Sequence, residues 1–206
     1  MNTPNKLTIM RILLAPLLVF VLLMDIDNEV FRTYKYLIAL IIFGIAAVTD
    51  AIDGRMARKR GLVTDFGKFI DPLADKLLVT SVFICFIQMG YTGAVPIIII
   101  IMRDFFVTSV RLVAVHNGAV VAATLQSKIK TVVHMISISV ILAMESVTYI
   151  FLPSMAVETQ HAVYPVFDFI MMTLIWLCAS ISIVSGFEFY TKNKEYITSK
   201  EKPRSI

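Results

Sequence analysis

Asp50 and Asp53 lie three residues apart, Asp71 and Asp75 four apart, and both pairs sit at the ends of strongly apolar segments. On helices each spacing puts the two acids of a pair on one face. A lone Asp at the centre of a membrane helix costs roughly 2.5–3.5 kcal/mol on the insertion scale, so four unpaired ones total on the order of 10 kcal/mol. Nearness to the interface lowers that figure and mutual repulsion raises it. A divalent cation offsets both. Oxygen-only ligands suit Mg2+, Mn2+ or Ca2+ and argue against zinc or copper. Four carboxylates on two helices can hold two such ions about 3.5–4 Å apart, an arrangement that serves phosphoryl displacement.

The neighbours point the same way. Gly54, Ala57 and Gly67 are small enough to let a flat or phosphorylated ligand approach the backbone. Arg58, one turn past Gly54, can meet phosphate with a bidentate fork. A plainer alternative is an interfacial charge belt of acids beside Arg58, Lys59, Lys68 and Lys76, with the small residues serving helix packing. That alternative accounts for single residues better than for the whole set at this spacing.

These residues need elements that hold them in a membrane. Of the 206 residues, 58% are hydrophobic and 17% charged, with a mean hydropathy of +0.81. Soluble domains carry about 25% charged residues, so lipid is the expected solvent. Six apolar segments, near 7–25, 34–57, 70–89, 95–116, 126–150 and 163–190, have about the length of a bilayer core. The expectation is an all-α integral membrane protein with six transmembrane helices. The membrane domain covers residues 1–191, and a polar, basic cytoplasmic tail covers 192–206. Met1–Met10 lacks the features of a cleaved secretory signal, so the first apolar run is read as retained.

Orientation follows the basic residues. Lys6, Arg11, the Arg55–Lys76 and Arg111–Lys130 stretches and the tail fall on one side. The opposite loops hold Asp25, Asp27, Glu29, Glu145 and Glu158, with Arg32 and Lys35. Both termini and the aspartate stretch are thus expected to face the cytoplasm of a multi-pass plasma-membrane protein. The net charge of +4 reflects this asymmetry rather than nucleic-acid binding. Cys85 and Cys178 sit in apolar runs away from any metal-ligand pattern and read as packing residues, as does Trp176. His116, His134 and His161 make no ligand pair and read as packing or interfacial residues.

The pattern D-x-x-D-G-x-x-A-R-x8-G-x3-D-x3-D runs without a gap from Asp50 to Asp75. It resembles the signature of the CDP-alcohol phosphotransferases, membrane enzymes that move a phosphatidyl or related group from a CDP-linked donor to an alcohol. Further stretches are similar to the bacterial members that make phosphatidylglycerophosphate: Met1–Arg11, Gly67–Lys76, Arg103-Asp104 with Arg111, and Ser127-Lys-Ile-Lys-Thr131. One departure is Ser127, where that group usually has glycine. The resemblance implies that Asp50, Asp53, Asp71 and Asp75 hold two Mg2+ or Mn2+ ions, with Asp75 also the general base. It implies that Gly54, Ala57, Arg58 and Gly67, together with the Asp50–Asp53 pair, bind the CDP moiety, with Asn5 and Thr8 also touching the nucleotide. It further implies a homodimer, with CDP-diacylglycerol as donor and glycerol 3-phosphate as acceptor.

A phosphorylated acceptor requires a second anion site. Arg103 lies well inside the fourth segment, where an unpaired cation is costly and marks function by default. Arg111 is two turns further on, about 80° round the axis, and Lys128 and Lys130 open the fifth segment. Together they can form a pocket for the acceptor phosphate. The competing expectation pairs Arg103 with Asp104 and leaves the lysines as cytoplasm-facing charges. Other acceptors (inositol phosphate, serine or a second lipid) share the donor chemistry. A divalent-cation transporter would instead spread its acids through the bilayer depth. Asp168 and Glu188 on the last segment are left unassigned, one of them a candidate for the dimer contact or for pairing with a helix-end cation.

Overall fold

A computed structural model describes residues 3–60, 65–116 and 124–198. Within those helices the side chains of 3–9, 50–60, 65–75, 115–116 and 195–198 fall outside the description. Among the described residues six α-helices follow one another: α1 (Thr3–Leu23), α2 (Glu29–Arg60), α3 (Asp65–Gln88), α4 (Ala94–His116), α5 (Leu125–Phe151) and α6 (Val157–Thr198). A single 3-10 turn, Leu152–Ser154, joins the last two, and no strand occurs among the described residues.

Several helix ends have local causes. Asn28 caps α2 by accepting the Phe31 amide on its side-chain oxygen at 3.1 Å. Thr124 caps α5, its hydroxyl accepting the Ser127 amide. Pro96 falls in the first turn of α4, where a missing N–H costs no helical bond. At the end of α3 the chain turns through Gly90 at φ +81°, a left-handed conformation that glycine adopts without strain. The Tyr91 amide then reaches back to the Phe86 carbonyl and the Gly90 amide to that of Ile87. α6 is kinked at Asn193, beyond which it continues to Thr198.

The helix contacts close into a ring, in the order α3, α1, α2, α5, α6, α4 and back to α3, with α3 also touching α5 across the middle. The interior is filled by Leu18, Leu22, Phe43, Phe83, Phe86, Ile97, Ile138, Ile141 and Leu142, all at or near zero exposure. The outside is equally apolar: Leu13, Phe20, Ile41, Phe105, Val132, Phe169 and Phe187 are exposed. A bundle that is hydrophobic on both its inner and outer surfaces is the pattern of a membrane protein. Among the described residues, three helices are long and apolar enough to cross a membrane: Glu29–Thr49, Leu125–Ser154 and Val157–Lys194. α1 and α3 contribute shorter described apolar stretches, Met10–Leu23 and Lys76–Gln88. α4 carries Arg103, Asp104 and Arg111 within one otherwise apolar helix.

One smaller expectation comes out differently. Trp176, read as a core residue, is 42% exposed on α6. Its neighbours at helical spacing, Thr173 and Ser180, are also outward, so its position in mid-segment reflects the lipid-facing side of the helix. Glu188 pairs through Oε1 with Lys192 one turn on, at 2.6 Å, in line with the helix-end cation expected for one of the two acids, while its Oε2 is buried without a partner. Cys85 and Cys178 are buried free thiols, as expected.

Candidate active site

α2 runs through Asp50 and Asp53, and α3 through Asp71 and Asp75, so all four acids fall on helices as their spacing requires. The side chains of Asp50, Asp53, Gly54, Ala57, Arg58, Gly67, Asp71 and Asp75 lie outside the described residues, as do those of Asn5 and Thr8. Among the described residues, α1 packs against both α2 and α3.

One residue past Asp75, the description resumes with Lys76. Its Nζ donates to the backbone carbonyl of Asp104 on α4 at 3.1 Å. That bond ties the turn following the aspartate motif to the middle of α4, where the second group of sequence-selected residues begins.

Arg103 and Asp104 are side by side on α4, each side chain about nine-tenths buried (10% and 14% exposed). Arg103 Nη1 donates to Asp104 Oδ1 at 3.1 Å, and the same oxygen takes Lys130 Nζ from α5 at 2.5 Å. Arg103 Nη2 donates to the hydroxyls of Ser127 on α5, at 2.8 Å, and Ser185 on α6, at 2.5 Å. Arg103 Nε is buried without a partner. Three helices therefore converge on one guanidinium. The approach is close because α6 carries glycine there: a Cβ at Gly186 would meet Arg103 Cγ at 3.1 Å.

The pairing of Arg103 with Asp104 and the clustering of the cations thus occur together. Among the described residues, Asp104 offers one negative charge to Arg103 and Lys130, so this group of three carries net positive charge. Arg111 stands two turns along α4, its guanidinium over the Phe189 ring at 5.6 Å and its Nε also buried without a partner. The two expected lysines separate. Lys130 is buried at 5% exposure, whereas Lys128 is exposed. Two helical residues turn the chain by about 200°, so both cannot face one pocket. The structure brings Arg103 and Lys130 together around Asp104, sets Arg111 along the same helix, and leaves Lys128 outside.

Below Lys130, His134 is buried. Its Nε2 lies 3.2 Å from the Cys178 carbonyl and from the Ser182 hydroxyl, and its ring is edge-on to Phe83. A carbonyl only accepts, so Nε2 carries the proton, and the residue packs α5 against α6 as its lone position suggested. Sequence reasoning did not single out Ser185, Gly186 or Thr124. A serine–glycine pair inside a long apolar helix was the available signal, since small residues mark close approach.

Residues 1–179 match the family model described as CDP-alcohol phosphatidyltransferase. The CDP-diacylglycerol–glycerol-3-phosphate 3-phosphatidyltransferase of Bacillus subtilis (strain 168) is 38% identical over 200 residues, covering 94% of this chain and 96% of that protein. The protein of the same name from Rickettsia typhi is 32% identical over 195 residues, covering 95% and 98%. A probable phosphatidylglycerophosphate synthase of Mycobacterium tuberculosis (strain ATCC 25618 / H37Rv) is 33% identical over 137 residues, 66% of this chain and 64% of that one. With its aspartate motif on the ends of two helices and a match over most of its length, the chain belongs to the CDP-alcohol phosphatidyltransferase family.

Proposed function

We propose that the protein transfers the phosphatidyl group of CDP-diacylglycerol to glycerol 3-phosphate, giving phosphatidylglycerophosphate and CMP. Relatives covering nearly the whole chain carry the name of that reaction. The observation that carries the acceptor is the buried cluster of Arg103, Lys130 and Asp104, joined through Lys76 to the turn after Asp75. A cluster with surplus positive charge and an unsatisfied buried Nε–H is built to receive an anion. A phosphorylated acceptor supplies one; a neutral alcohol does not.

In this reading Asp50, Asp53, Asp71 and Asp75 hold two Mg2+ or Mn2+ ions, for which an all-carboxylate donor set is the fitting chemistry. When bound, such ions neutralise the donor diphosphate and make CMP a competent leaving group. Arg58, with Gly54, Ala57 and Gly67, binds the CDP moiety, and Asn5 and Thr8 approach the nucleotide. Arg103, Lys130 and Arg111 hold the acceptor phosphate, with Lys128 at most a peripheral charge. Asp75 takes the proton of the attacking hydroxyl as oxygen bonds to the phosphorus that carries diacylglycerol and the bond to CMP breaks. The donor's acyl chains stay in the bilayer while its head group enters the bundle.

The same proposal includes six membrane spans with both termini and the aspartate stretch on the cytoplasmic face of the plasma membrane, and a homodimer as the working unit. The Arg and Lys distribution supports the orientation.

Purified protein with Mg2+ or Mn2+ and CDP-diacylglycerol, offered glycerol 3-phosphate, inositol phosphate, serine and a second lipid in turn, should release CMP with glycerol 3-phosphate. Release only with another acceptor sinks the acceptor assignment. No release with any acceptor, together with metal flux in liposomes, sinks the enzyme.

A further inference from the structure

Arg103 is held in an unusual way for a buried cation. Both Nη2 contacts are to hydroxyls, Ser127 on α5 and Ser185 on α6, which lie 3.4 Å from each other. A hydroxyl accepts a guanidinium hydrogen without cancelling its charge, whereas a carboxylate in the same position would do both. Ser127 is itself fixed. It sits in the first turn of α5, where its hydroxyl lies 3.0 Å from that of the capping Thr124 and its amide donates to the same oxygen. Because Ser127 accepts from Arg103, its own hydrogen is free to go to Thr124. The chain of bonds therefore runs from the α5 cap through Ser127 to Arg103, with Ser185 closing it from α6. Gly186 leaves room for the arginine stem.

Resting on the acceptor assignment above, we propose that Ser127 and Ser185 are positioning residues for glycerol 3-phosphate. Their two hydroxyls clamp Arg103 Nη2 between α5 and α6 and leave the guanidinium charged, with Nε–H uncommitted for the acceptor phosphate. They touch no substrate; they act through Arg103. Asp104 alone cannot do this, because it holds a single Nη1 contact and shares its oxygen with Lys130. Without the hydroxyls the side chain has rotamers to explore and a fixed donor pair is lost, which is a loss of acceptor binding rather than of donor chemistry.

The test is two-substrate kinetics of the full-length protein in detergent with Mg2+, comparing wild type with Ser127→Ala, Ser185→Ala, the double variant and Ser127→Thr. Each single alanine should raise the glycerol 3-phosphate KM several-fold, and the double variant about tenfold or more. The CDP-diacylglycerol KM should stay within about twofold, and Ser127→Thr, which keeps the hydroxyl, should stay near wild type. A double variant whose glycerol 3-phosphate KM is within twofold of wild type overturns the clamp. So does a rise shared equally by both substrates, or a Ser127→Thr variant as impaired as Ser127→Ala. If the double variant does not purify folded, the single variants decide by the same criterion. A wild type inert with glycerol 3-phosphate overturns the acceptor assignment and the clamp with it; an active wild type with indifferent variants overturns the clamp alone.

Discussion

Two polar clusters are buried in this apolar bundle, and they are built on different principles. Lys130 belongs to the first and Glu145 to the second, fifteen residues apart on α5 and so about 22 Å along its axis. Around Lys130, cations outnumber acids, one carboxylate is shared, and an arginine Nε is left without a partner. Around Glu145, aromatic hydroxyls dominate. The Tyr91 hydroxyl lies 3.3 Å from that of Tyr36, the Tyr36 and Tyr149 rings are 4.8 Å apart, and Lys35 Nζ lies 5.0 Å from the Tyr36 ring centre. Burial, with Glu145 beside it, pushes the phenol of Tyr91, in the loop between α3 and α4, far above its usual range, so it remains a hydrogen-bond donor. The second cluster joins α2, α5 and the α3–α4 connection and ties its acid, Glu145, to the Tyr91 hydroxyl. The first is left with donors to spare. In the proposed reading, that surplus separates the acceptor site from a fastening.

Substitutions can break or sharpen that contrast. The largest effect should come from the chemistry the cation cluster serves: Asp75→Asn should lower turnover about a thousandfold, within the range of a lost general base, while CDP-lipid binding persists. Near-normal turnover would remove Asp75 as the base. Arg111→Ala should raise the acceptor KM about tenfold, the equivalent of one charge-assisted hydrogen bond; a change confined to the donor KM would move Arg111 to the nucleotide site. At the other cluster, Tyr36→Phe should leave both KM values unchanged and lower Tm by about 2–4 °C, as expected for about 1 kcal/mol in a chain of this size. A kinetic effect without a thermal one would make the tyrosines part of the site. The smallest effect is expected at Lys128→Ala, within about twofold in every kinetic constant, since the exposed side chain cannot share the pocket of Lys130.

The helices were legible because apolar runs of bilayer length leave few alternatives. Their ends were less so. The second run was expected at 34–57, yet α2 begins at Glu29, because Asn28 supplies a cap that hydropathy does not register. α6 likewise extends past its apolar run at both ends, to Val157 and Thr198. Hydropathy marks what lipid covers, and helical hydrogen bonding continues into water. At the site, Arg103 was legible because a cation inside an apolar helix needs a reason. Its partners were not. Ser127 and Ser185 are 58 residues apart and gain meaning only once α5 and α6 are packed with a definite rotation. The same rotation separates Lys128 from Lys130, which sequence treats alike. The departure from glycine at Ser127 was visible in the chain, but its contact with Arg103 required the fold.

In the proposed division of labour the aspartate motif handles the donor while the cluster around Arg103 receives a phosphorylated acceptor. Two-substrate kinetics of Arg103→Ala test it most directly, because truncating a buried, hydrogen-bonded cation at a binding site typically costs about 2–5 kcal/mol. The glycerol 3-phosphate KM should rise about a hundredfold with the CDP-diacylglycerol KM within about twofold of wild type. An unchanged acceptor KM, or a loss confined to the donor, would contradict it.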